Sequence, residues 1–286
     1  VRRRRQRQMC IRDSVTTPHH QHEPVTRPLL EAGINVLQEK PLANTLAAGE
    51  ALVEAAAASE AKVGICLQNR YNRGNQALKD LIASGELGEI TGAYASVVWA
   101  RPPDYYQAKP WRARWSQAGG GLLINQALHT LDLLQWLLGA PTQVHGHAAT
   151  LKYRDSIEVE DSAQAWFTHP ATGDQPEVTS TFVGSLTNVV HRQVELEGYG
   201  NCGTAIMADG LHVRFSDGRS LEVNERMVPT QGRSYWGMSH QVLIEDFHQT
   251  LHHPEPFWIS PAESMVSLRM LKAVYADTWP GQPHVL

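Results

Sequence analysis

Apolar and polar positions follow two different periods along this chain. Between residues 15 and 67, the apolar runs Val15-Thr16-Thr17, Ile34-Asn35-Val36-Leu37 and Val63-Gly64-Ile65-Cys66-Leu67 alternate with stretches of helical spacing at 23–32 and 44–59. Continuous apolar strands separated by helices predict a parallel sheet with helices on its faces. Such a sheet receives ligands at the carboxyl ends of its strands, here Thr17-Pro18, Glu39-Lys40-Pro41 and Asn69-Arg70-Tyr71. After a helix at 76–83 the pattern changes to strands near 90–100, 144–151, 161–168, 178–183, 190–197, 203–208, 212–215 and 221–223. Turn residues such as Asp217-Gly218 join them, which predicts an antiparallel sheet. Helices at 238–251 and 261–276 close the chain. The fold class expected is α/β: a parallel sheet, then an α+β part with a large, open, mainly antiparallel sheet.

Residues 119–139 run from Gly119-Gly120-Gly121 to Gly139 without a proline and are mostly Leu, Ile, Ala or Trp. That punctuation predicts one helix, apolar nearly all round and therefore buried. Asn125, His129 and Asp132 interrupt it at steps of four and three. At about 100° per residue they fall within an arc of about 60°, one polar line on an apolar helix. Leaving such groups buried and unpaired costs about 1–3 kcal/mol each. On spacing alone the line is either a satisfied internal network or the wall of a pocket in which His129 meets a substrate.

Composition narrows the field. With 286 residues, 42% hydrophobic and 19% charged, and a net charge of −4, the chain has room for two domains and no basic field for nucleic acid. No apolar run approaches the roughly 20 residues of a membrane helix. Cys10, Cys66 and Cys202 form neither a disulfide framework nor a metal motif, which suits a reducing compartment, the cytoplasm. Residues 1–14 are a basic arm that no second basic patch supports. Met9-Cys10-Ile11-Arg12-Asp13-Ser14 reads like the in-frame translation of a transposon end used to prepare sequencing libraries, so residues 1–14 are expected to be non-native.

Several short motifs could carry chemistry. Pro41 restricts Lys40 to an extended backbone at a strand end, where a partly buried ammonium can relay protons; an exposed surface lysine is the plainer reading. Thr17-Pro18-His19-His20-Gln21-His22 holds three histidines, but no carboxylate or cysteine stands at ligand spacing, so no metal is expected. His22 either caps the helix that it precedes or touches a cofactor. Trp111-Arg112 joins an aromatic plane to a fixed cation, able to grip a sugar face, a carboxylate or a phosphate, or simply to sit in a surface loop. His240 opens a late helix as a core, capping or ligand-facing residue. Glu158, Glu160 and Asp161 read as a solvated hairpin edge.

In this order and spacing, Thr17-Pro18 with His22, Glu39-Lys40-Pro41, Ser84-Gly85-Glu86-Leu87-Gly88, Trp111-Arg112, Gly119-Gly120-Gly121 ahead of His129 and Asp132, and a helix from His240 to Phe247 resemble the glucose-fructose oxidoreductase/inositol dehydrogenase (Gfo/Idh/MocA) family. The resemblance covers nearly everything from Val15 to Leu286. It implies a Rossmann domain joined to an open-sheet domain, NAD or NADP as cofactor, and hydride transfer at a sugar or polyol carbon. By the same resemblance Lys40 contacts the substrate hydroxyl and the nicotinamide ribose, and His129 is the acid/base. Thr17, Pro18, His20, His22, Glu39, Trp111 and Arg112 would line the cofactor. Arg112, Asn125 and His240 would join Lys40 and His129 around the substrate. Asn125 departs from members with an aspartate at its position: an amide orients a hydroxyl but takes no proton.

An NAD-retaining glycosidase and a non-catalytic sensor also occur on this fold, and a sensor has no use for Lys40 with His129. By the same resemblance the open sheet packs against another subunit, in a homo-dimer or homo-tetramer. No G-x-G-x-x-G follows a strand, and no acidic residue stands about 20 positions beyond one. The expected organisation is therefore an incomplete, N-terminally truncated Rossmann-type domain over 15–72 and a substrate-binding and oligomerisation domain over 73–286.

Overall fold

The computed structural model describes residues 12–173, 175–225 and 239–286. Residues 1–11 of the basic arm, and Met238 at the predicted start of a late helix, lie outside them. Strands β1 (Arg12–Val15), β2 (Asn35–Gln38) and β3 (Val63–Ile65) form a parallel sheet in that order. Helices α1 (His22–Glu31) and α2 (Leu46–Ala57) connect them, and Thr45 caps α2 by accepting the Ala48 amide at 3.2 Å. β1 lies earlier than its apolar run suggests. Arg12, Asp13 and Ser14 are exposed on an edge strand, and the backbone ladder to Asn35–Gln38, not their polarity, sets the register.

The second sheet has eight strands. β4 (Ile90–Val98), β5 (Gln143–Ala149), β6 (Ser162–His169), β7 (Val178–Ser185), β8 (Glu195–Gly200), β9 (Gly203–Met207), β10 (Leu211–Phe215) and β11 (Ser220–Val223) lie in the order β11-β10-β9-β8-β4-β7-β6-β5. The β4–β7 pair is parallel and every other pair antiparallel. One face is core: along β6, Ala163, Ala165 and Phe167 are buried while Gln164 and Trp166 between them are exposed. Helices α3 (Arg73–Ala83), α4 (Asp104–Gln107), α5 (Trp115–Ala118), α6 (Leu128–Leu138), α7 (Ser239–Thr250) and α8 (Pro261–Thr278) complete the described chain. Helix α8 packs against α2, α6 and β5.

Two expectations are corrected. Residues 119–139 are not one α-helix, because Leu123–Ala127 form a wider π-turn ahead of α6. The glycines at its head serve close approach. A methyl group at Gly119, whose φ is +78°, would run into the Asn44 carbonyl, and one at Gly121 into the Glu160 carbonyl. Glu160 and Asp161 are not solvated; both are fully buried, and only Glu158 of that cluster is exposed. Glu160 accepts the Gly121 amide at 2.7 Å, the Leu123 amide at 2.8 Å and the Tyr275 hydroxyl at 2.7 Å, so it caps the start of the wide turn. Asp161 accepts the amides of Leu151 at 2.8 Å, Lys152 at 2.8 Å and Tyr153 at 3.1 Å.

Candidate active site

Each strand of the parallel sheet delivers a loop to one end of the molecule. After β2 the chain enters Glu39-Lys40-Pro41, with a cis peptide between Lys40 and Pro41. The Lys40 ammonium donates to the backbone carbonyl of Asn125, in the wide turn, at 2.7 Å. After β3 a tight turn, Gln68–Tyr71, brings the Gln68 amide nitrogen to 3.3 Å from His129 Nε2.

The polar line of the helix is thereby divided. Asn125 and His129 are half-buried and meet the strand-end loops. Asp132 is fully buried and takes the Arg70 guanidinium in two bonds of 2.8 and 2.7 Å. Arg70 also reaches Glu263 at 2.9 Å and lies over the rings of Trp136 and Trp258. The internal-network reading therefore applies to the Asp132 end of the line.

Burial and neighbouring charge set the protonation states. Burial brings the Lys40 ammonium down to about 8, with Glu39 raising it and Arg112 lowering it further. His129 is driven well below the ordinary imidazole range, first by burial and then by Lys40 and His240. Burial also lowers His240 while Glu39 raises it, which places His240, at the start of α7, in the same electrostatic neighbourhood.

The first strand end is held rather than open. His22 is fully buried, with Nδ1 at 2.7 Å from the Pro41 carbonyl and Nε2 at 3.0 Å from the Thr17 carbonyl. Both ring nitrogens are thus turned to backbone, so His22 ties the two loops together and has none left for a cofactor. His19, which sequence reasoning passed over within its own motif, sets Nδ1 at 2.8 Å from the Ala118 carbonyl and its ring edge-on to Trp111 at 4.8 Å. The Arg112 guanidinium lies 4.5 Å over the Tyr105 ring, and the Gln126 amide donates to the Tyr105 hydroxyl at 2.7 Å. Thr17 Oγ1, His20 Nδ1, Gln68 Oε1, Arg112 Nε and His129 Nδ1 are buried without a hydrogen-bond partner among the described residues. Pro18 and Glu39 stand at the same strand ends.

Residues 13–66 match a profile described as "Oxidoreductase family, NAD-binding Rossmann fold", and residues 75–206 match the "GFO/IDH/MocA C-terminal domain". The chain belongs to the Gfo/Idh/MocA family. It is 32% identical over 124 residues to 1,5-anhydro-D-fructose reductase of Ensifer adhaerens, a match covering 43% of this chain and 36% of that enzyme. It is 29% identical over 150 residues to scyllo-inositol 2-dehydrogenase (NADP(+)) IolW of Bacillus subtilis, covering 51% of this chain and 39% of that one. The matches thus span less than half the length of either curated relative. Among solved structures, the WlbA dehydrogenase from Bordetella pertussis, in complex with NADH and UDP-GlcNAcA, superposes with a TM-score of 0.79 at 25% identity, covering 95% of this chain and 78% of that one. Within this Gfo/Idh/MocA frame, Thr17, Glu39 and Lys40 fall in the Rossmann match, and Trp111, Arg112, Asn125 and His129 fall in the C-terminal match. Gln68 falls between the two matches.

Proposed function

We propose that this protein is an NAD- or NADP-dependent oxidoreductase that moves hydride between the nicotinamide and a hydroxyl or carbonyl carbon of a sugar or polyol. The observation that carries this reading is the Lys40 ammonium seated on the Asn125 carbonyl at 2.7 Å, one helical turn before a neutral His129. The residues present suit the reacting end of the cofactor: Thr17 Oγ1 and Arg112 Nε are buried polar atoms without partners among the described residues, at strand ends and beside Lys40. Family relationship supports the substrate class, since the named relatives are a sugar reductase and an inositol dehydrogenase.

A bound nicotinamide supplies the hydride acceptor or donor. Hydride leaves carbon as the hydroxyl proton leaves oxygen, and a group at that oxygen must take the proton. His129 is neutral at pH 7 and can accept it. The Lys40 ammonium stabilises the negative charge that grows on the same oxygen. Asn125 orients a hydroxyl and takes no proton. In the reductive direction the protonated His129 returns the proton.

The protein with a complete Rossmann domain, mixed with NAD or NADP and a panel of sugars and polyols, should release reduced cofactor. Lys40→Ala and His129→Ala should each lower turnover by about 10²–10⁴-fold. Near-parental turnover in either variant would refute its assigned role. Free sugar from a glycoside without net reduced cofactor would instead mark an NAD-retaining glycosidase. Sugar binding without turnover would mark a sensor.

Cysteine usage supports a cytoplasmic location. The exposed side chains of the open sheet face, Trp166 and Ile206 among them, support a homo-dimer or homo-tetramer built on that face.

A further inference from the structure

Gln68 belongs to none of the motifs that mark the site in the sequence, yet its side chain touches the His129 ring. It leaves β3 with 9% of its surface exposed, so its amide is largely withdrawn from water. Its nitrogen stands 3.3 Å from His129 Nε2, while its oxygen is buried without a partner among the described residues. A buried amide oxygen left unpaired carries a desolvation penalty, which a bound hydroxyl removes.

The two side chains are also locked to each other through the scaffold. Arg70, two residues after Gln68, grips Asp132, three residues after His129, so one buried ion pair fixes the turn and the helix in a single geometry. The Asn69 carbonyl is held as well, by the Asn75 amide at 2.7 Å.

We propose that Gln68 is a positioning residue for His129 and a contact for the substrate. Its amide nitrogen holds the ring through Nε2, and its amide oxygen accepts a hydroxyl next to the one that reacts. The first half rests on the geometry alone, the second on the oxidoreductase reading. Donation to Nε2 needs the lone pair there, so the ring proton resides on Nδ1 and the imidazole is neutral. Nε2 is also the atom that receives the substrate proton: the Gln68 N–H withdraws as that proton arrives, and the amide turns to present Oε1 to the new Nε2–H. A hydrocarbon at this position serves neither form. The other charged or titratable groups that act on the ring are Lys40 from the loop after β2 and His240 from α7, and both oppose positive charge on it. Glu39 in turn acts on those two.

The test is ¹⁵N-histidine NMR on the full chain, with the His129 signals assigned by their loss in His129→Gln. Parent protein should show a neutral His129 protonated on Nδ1. Gln68→Glu sets a carboxylate against Nε2, so the proton should move to Nε2 and the proton affinity of the ring should rise at least about tenfold. Gln68→Leu should leave a mixture of tautomers, and it carries the measurement if the carboxylate prevents folding. His129 signals and titration identical in parent and variants would overturn the positioning role. In turnover assays Gln68→Leu should raise the sugar KM about tenfold or more; an unchanged KM beside altered NMR signals would overturn the substrate contact. Absence of sugar turnover in the protein with a complete Rossmann domain strikes the oxidoreductase reading and leaves the NMR result standing.

Discussion

Lys40 and His129 are both drawn toward their neutral forms by burial, yet they end on opposite sides of neutral pH. At pH 7 the lysine, at about 8, keeps its proton, and the histidine, well below its usual range, does not. One acid and one base thus stand close together. For oxidation, kcat/KM should rise with pH through a limb below the ordinary imidazole range, hold, and fall through a limb near 8 as Lys40 loses its proton. Glu39 raises the Lys40 value, so Glu39→Gln should move the alkaline limb to lower pH. A limb that stays in place would remove Lys40 from the titration. These two residues were legible in the sequence because each breaks a local pattern, a cation at a strand end and a polar residue in an apolar run. Gln68 and His19 break none, and their partners lie far along the chain. Glu160 was misread for the same reason: the amides of Gly121 and Leu123 that satisfy it come from another part of the sequence.

At the level of elements, the wide turn of Leu123–Ala127 matters more than the helix that it begins. A sequence wheel assumes 3.6 residues per turn, and a π-turn departs from that spacing. Its position could not be read from Leu, Ile and Ala, which suit either geometry. The turn coincides with the carbonyl that receives Lys40, while the regular part, α6, carries the structural pair. Removing one partner of a buried ion pair strands the other, at a cost of about 3–5 kcal/mol. Asp132→Ala should therefore destabilise the protein by that amount in urea unfolding. A loss below about 1 kcal/mol would show that Arg70 finds water or Glu263 sufficient. Most strands and helices were legible within a few residues, since their apolar periods differ. Edge strand β1 was displaced because its outward residues carry no apolar signal.

On the scale of the whole molecule, alternation along each strand leaves one sheet face without a helix among the described residues. The register aligns Trp166, Thr181, Tyr94, Glu197, Ile206 and His212 in one row across six strands. Trp166 is 45% and Ile206 39% exposed. Sedimentation should find a dimer or tetramer at micromolar concentration, and Trp166→Asp should weaken association at least about tenfold. A monomeric parent would end the idea. The split into a parallel and a mainly antiparallel sheet was legible from strand spacing. The strand order was not, because it depends on pairings between distant segments.

That order bears on how the polypeptide is born. β4 lies well inside the eight-stranded sheet, flanked by β7 and β8, and both neighbours follow it in the chain. As synthesis proceeds from the N-terminus, β4 emerges with neither partner yet made, its ladder groups open on both sides. The segments translated next, β5, β6 and β7, pair in succession as antiparallel neighbours. β4 must then be received alongside β7 across a long closed loop, an entropic debt that local pairing avoids. The sheet is thus completed around a strand that has waited longest, and its nascent form carries open edges until β7 and β8 are made.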